Sequence, residues 1–64
     1  MGGKMLLKGV FNLYGQVHIL YAHTTERNAW NLFTRRLAKI TGVSCYKIRL
    51  EFNGEKDNYT ILKG

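Results

Sequence analysis

Apolar and polar positions alternate over the first two dozen residues. Residues 4–14, KMLLKGVFNLY, place Met5, Leu7, Phe11 and Leu13 on one face of an extended strand. Leu6, Lys8, Val10, Asn12 and Tyr14 fall on the other. Gly9 weakens the strand and marks either a bulge or a close backbone approach. Gly15 offers a turn. Residues 16–23, QVHILYAH, resume with Val17, Ile19 and Tyr21 on one face and His18, Leu20 and Ala22 on the other. The pattern predicts a β-hairpin, with Val17 and Ile19 assigned to the core.

The period then changes. Within TTERNAWNLFTRRLAKITG, Trp30, Phe33, Leu37 and Ile40 recur at helical spacing with Ala29 beside them. At 100° per residue these five fall within an arc of about 100°, a core-facing stripe. Thr24 or Thr25 supplies the capping hydroxyl, and Glu26 sits at the positive end of the helix dipole. Gly42 takes the left-handed position that ends the helix, and Val43 folds back on Ala38.

Residues 46–52, YKIRLEF, return to a period of two: Tyr46, Ile48, Leu50 and Phe52 point one way, Lys47, Arg49 and Glu51 the other. That predicts a third strand. Asn53-Gly54 then signals a hairpin turn, with the loop continuing through EKDN, and YTIL forms a short fourth strand. The expected fold is α+β: a two-layer ββαββ arrangement, with one helix packed on one face of a four-stranded, mainly antiparallel sheet. Leu7, Phe11, Val17, Ile19, Ile48, Leu50, Phe52 and Ile61 should meet the helix stripe in the core. Residues 1–64 read as a single domain, and residues 1–4 as a leader that is native or appended.

Charge narrows the choice of partner. Ten basic residues against four acidic give a formal charge of +6 on 64 residues, which favours polyanions. The single cysteine, Cys45, forms no intramolecular disulfide, and no Cys/His group has zinc-ligand spacing. A free thiol suits a reducing compartment, so a cytoplasmic location is expected. No run approaches the roughly 20 apolar residues of a membrane helix. No signal-peptide core is present, and no membrane partner is expected.

Catalysis needs positioned acids, bases or nucleophiles. The acidic residues are Glu26, Glu51, Glu55 and Asp57, three of them in or beside the second predicted hairpin. His18 and His23 lie five apart on one strand and therefore on opposite faces. Cys45 carries no nucleophile pattern, and no glycine loop has phosphate-cradling spacing. No catalytic site, cofactor or metal is expected, and a histidine-dependent ribonuclease ranks a distant third among the readings.

Two surfaces fit DNA or RNA. Arg27, Asn31, Arg35 and Lys39 recur every four residues on the helix, with Asn28 alongside. Arg36 sits about 100° round from Arg35, so the pair is not a clamp. The second surface is the outer sheet face, where Lys47 and Arg49 of the third strand join Lys8, Asn12, Tyr14 and His18. On this topology the two surfaces lie on opposite sides of the sheet. The expected function is a small basic nucleic-acid-binding module using Arg27, Arg35, Lys39, Lys8, Lys47 and Arg49. The outer face also carries Leu6, Val10, Leu20, Ala22 and Leu62. The alternative is therefore a homodimerising or protein-interaction accessory protein whose interface includes Leu6, Val10 and Leu20.

Overall fold

The two-residue loop Tyr14-Gly15 sets the register of everything that follows. Both residues take positive φ, 51° and 82°, as a type I′ hairpin turn requires. The computed structural model describes residues 3–64; of the expected leader, Met1 and Gly2 lie outside them. Strands β1 (Met5–Leu13) and β2 (Gln16–Thr24) pair antiparallel from Leu13↔Gln16 to Met5↔Thr24 without a bulge. Helix α1 (Glu26–Thr41) follows, then a second helix, α2 (Cys45–Glu51), and a final strand, β3 (Tyr59–Lys63). Strand β3 pairs antiparallel with β1, so the sheet order is β2-β1-β3. The architecture is α+β with three strands and two helices, one strand fewer and one helix more than the sequence pattern suggests.

The difference lies in residues 46–52, where α2 runs to Glu51 and Phe52 caps it, in place of a strand. Ile48 and Phe52, four apart, are both fully buried. Tyr46 and Leu50, which period two placed beside them, are 73% and 52% exposed. Ser44 caps the helix, its Oγ accepting from the Lys47 amide at 3.3 Å. At α1, Thr25 Oγ1 accepts from the Asn28 amide at 3.2 Å, and Gly42 ends the helix at φ 76° with its N–H donating to the Ala38 carbonyl.

Both helices cover the same face of the sheet. From β1 that face presents Leu7, Phe11 and Leu13, all buried. Phe11 is its centre: its ring meets Phe33 of α1 edge-on at 5.8 Å, Phe52 at 5.0 Å and the stacked Tyr59 ring at 5.5 Å. Gly9 is the point of closest approach, since a Cβ there would stand 2.6 Å from Phe11 Cε1 and 2.9 Å from Phe33 Cδ2. The glycine is required so that α1 can seat its phenylalanine on the sheet.

The hairpin register assigns β2 the opposite parity to the expected one. Pairing of Leu7 with Ala22 and Gly9 with Leu20 turns Leu20 and Ala22 inward, with His18. Val17, Ile19 and Tyr21 are on the outer face, each more than half exposed. The burial of α1 is also rotated. Ala29, Phe33, Thr34 and Leu37 are buried and Trp30 is partly so, while Ile40 is 59% exposed. Helix α2 packs along the Trp30–Thr34 flank and draws the buried arc toward itself. Trp30 Nε1 donates to the Phe52 carbonyl at 2.7 Å, tying α1 to the end of α2. Asn58 Nδ2 donates to the Glu51 carbonyl at 2.8 Å, and the Asn58 carbonyl accepts from the Asn12 amide. That side chain joins the end of α2 to the start of β3.

Candidate nucleic-acid interface

Conversion of residues 46–52 into a helix moves Lys47 and Arg49 from the outer sheet face to the helical layer. They join Arg27, Arg35 and Lys39 there. Five of the six basic residues expected to contact a nucleic acid therefore occupy one side of the molecule, and Lys8 is left alone on the other.

On α1 the solvent side is built from positions about one turn apart. Asn28, Asn31, Arg35 and Lys39 are all exposed, opposite the buried Phe33 and Leu37. Arg27 is exposed in the first turn. Arg36 is also exposed but committed: its Nη1 donates to the Tyr21 carbonyl at 2.8 Å, on the free edge of β2. On α2, Lys47 is exposed and Arg49 half-buried against α1. The Arg49 guanidinium lies 5.8 Å from the centroid of the Trp30 ring, and its Nε donates to Thr34 Oγ1 at 3.4 Å. Those two contacts pre-order a side chain that would otherwise lose rotamer freedom on binding.

Acidic groups do not neutralise this layer. Among the described residues the one ion pair is Lys56 with Glu51, at 4.0 Å. Glu51 Oε2 also accepts from Asn58 Nδ2 at 3.3 Å. Glu26 lies in the first turn of α1, favourably placed against the helix dipole.

Two residues absent from the expected basic set complete the surface. A shallow cleft of about 340 Å³ between the end of β2 and α1 is lined by Lys4, His23, Thr24, Asn28, Asn31, Leu32 and Arg35. The sequence pattern places Lys4 in the leader segment and offers His23 only as a catalytic candidate. The signal is positional: β2 runs on to Thr24 and α1 begins at Glu26, so the single cap residue Thr25 joins the end of the strand to the first helical turn. The cleft offers cationic and amide donors and no carboxylate, a donor set suited to a phosphate oxygen.

The remaining expected contacts are dispersed. Lys8 is half-buried on the outer sheet face between its cross-strand neighbours Tyr21 and Leu62. Tyr14 is in the turn, Asn12 is exposed at the end of β1, and His18 is half-buried on the helix-facing side. His18 and His23 stand on opposite faces of β2, as the strand period requires. Cys45 is partly buried at the start of α2. No group of three or more His, Cys, Asp and Glu that could hold a metal ion occurs among the described residues. No described helix is long and apolar enough to cross a membrane. Comparison with known proteins finds no family model, no curated protein and no solved structure that this chain matches.

Proposed function

We propose that this chain is a small, non-catalytic nucleic-acid-binding module that grips DNA or RNA phosphates with its helical layer. The observation that carries the reading is the gathering of Arg27, Arg35, Lys39, Lys47 and Arg49 onto one layer, with no carboxylate paired to any of them among the described residues. The cleft that Lys4, Asn28, Asn31 and Arg35 help to line extends that layer toward the end of β2. The row is backbone-directed: guanidinium and ammonium groups attract phosphates without reading sequence. Exposed Asn28 and Asn31 supply the neutral donors and acceptors that reach base edges if α1 enters a groove.

The test is fluorescence anisotropy with labelled duplex and single-stranded oligonucleotides at about 50 mM salt. Arg35→Ala should weaken binding about tenfold, the salt-dependent worth of one phosphate contact near 0.1 M. Lys8→Ala, on the opposite face, should leave affinity unchanged. No binding at this salt, or a loss caused by Lys8→Ala and not by Arg35→Ala, overturns the proposal.

A further inference from the structure

The outer face of the sheet carries a second property of the molecule. A wet antiparallel face normally shows polar residues at every second position, whereas strands covered on both sides read as nearly continuous apolar runs. Here six of the ten outward positions are apolar or aromatic, namely Leu6 and Val10 of β1, Val17, Ile19 and Tyr21 of β2, and Leu62 of β3, the other four being Lys8, Asn12, His23 and Thr60. Five of these six are roughly half exposed, from 48% to 58%. Both helices lie on the other side, so no described element covers them.

We infer that this face is the interface of a homodimer, in which a second copy of the chain packs sheet against sheet about a two-fold axis. Three observations favour a second copy. The first is area. The long face of 33 × 22 Å outlines about 730 Å². Standard interfaces take about 600–1000 Å² from each partner.

The second is charge. Arg27, Arg35, Lys39, Lys47 and Arg49 are in the helical layer, and Lys8 is the one formally charged side chain among the outward positions of the three paired strands. With sheets about 10 Å apart and each helical layer a further ~10 Å out, the two basic layers sit about 30 Å from each other. That is some three Debye lengths at about 0.1 M salt, so a chain of charge +6 associates by this face with little repulsion. Lys8 is half-buried between Tyr21 and Leu62, where its aliphatic stem can cover apolar surface.

The third is the edge. Arg36 Nη1 occupies the Tyr21 carbonyl on the free edge of β2, which disfavours edge-to-edge pairing through that strand. A closed two-fold contact of this kind presents the two basic helical layers in opposite directions.

The inference uses the side of the molecule away from the nucleic-acid surface, so either can fail alone. Sedimentation equilibrium from about 5 μM to 1 mM tests it. The expected result is a mass rising from 7.4 kDa toward twice that value with concentration. Ile19→Lys should raise the dimer dissociation constant at least tenfold while the far-UV CD spectrum and melting curve keep a folded form. Leu62→Lys should do the same from the other edge strand, and Arg35→Glu should leave the constant unchanged. A mass that stays at 7.4 kDa to the highest concentration overturns the inference. So does dimerisation that survives both Ile19→Lys and Leu62→Lys in folded proteins, or dimerisation lost with Arg35→Glu. Flotation with anionic phospholipid vesicles by a chain that stays monomeric would assign the face to a lipid surface and overturn it as well.

Discussion

Alanine at Gly9 sets a methyl group against two rings that have no room to move. Its Cβ would lie 2.6 Å from Phe11 Cε1 and 2.9 Å from Phe33 Cδ2, closer than carbon atoms pack. Both rings are fully buried. Phe11 is further held by Phe52 and by the stacked Tyr59 ring. Relief therefore requires α1 to lift from the sheet or the rings to leave their rotamers. Overpacking of this kind costs about 1–3 kcal/mol. Replacing glycine in a strand returns about 0.5–1 kcal/mol of backbone entropy. The short contacts put the cost at the upper end, for a net loss of about 2 kcal/mol. A chain of this length has about 3–10 kcal/mol to lose. Thermal unfolding followed by far-UV CD should show a melting temperature lower by about 8–16 °C. Adding Phe33→Leu to Gly9→Ala should recover part of the loss, because the two substitutions compete for one space. A melting temperature equal to or above that of the unaltered chain would refute the packing of α1 on Gly9.

Two further predictions address α2 and its junction with α1. Ser44→Ala removes the cap of α2 and should cost about 1 kcal/mol in urea unfolding; a neutral result would favour an extended conformation for residues 46–52. Trp30→Phe keeps an aromatic ring but deletes the N–H that meets the Phe52 carbonyl at 2.7 Å. It should cost about 1–2 kcal/mol, and it should make Arg49→Ala less damaging than in the unaltered chain, because Arg49 would already have lost the indole ring beneath its guanidinium.

The sequence makes some of this architecture legible and conceals the rest for identifiable reasons. The faces of β1 and the caps of α1 follow directly from period and residue chemistry, and Thr25 and Gly42 sit where those rules put them. The faces of β2 do not follow from pattern, because its apolar residues fall on both sides: Val17 and Ile19 against Leu20 and Ala22. The deciding information lies in the turn. A two-residue Tyr14-Gly15 loop pairs Leu13 with Gln16, and the parity of every later residue on β2 is then fixed. Residues 46–52 satisfy both periods at once. Tyr46, Ile48, Leu50 and Phe52 alternate, while Ile48 and Phe52 alone suffice for one side of a short helix. Seven residues are too few for a helix to form unaided, so burial of Ile48 and Phe52 against Phe11 and α1 settles it. Ser44 was the local sign, and the helix-favouring Lys47, Arg49, Leu50 and Glu51 agree with it.

The basic surface depended on that same segment. With 46–52 extended, Lys47 and Arg49 stand across the sheet from Arg35 and no contiguous surface exists. With α2 formed, they share its layer. Lys8 is on the outer sheet face, as the strand period predicts, but its cross-strand companions there are Tyr21 and Leu62 and not other cations. Leu6 and Val10 keep their outward positions, and Leu20 yields its place to Val17 and Ile19.

The most direct test of the nucleic-acid reading is the slope of log affinity against log salt for a duplex oligonucleotide. If about four of the helical-layer cations contact phosphates, the slope should be near −3.6, a loss of about 150-fold between roughly 50 and 200 mM salt. The double variant Arg35→Ala, Lys39→Ala should reduce the slope by about 1.8. A flat salt dependence, or a slope untouched by the double variant, would contradict the account.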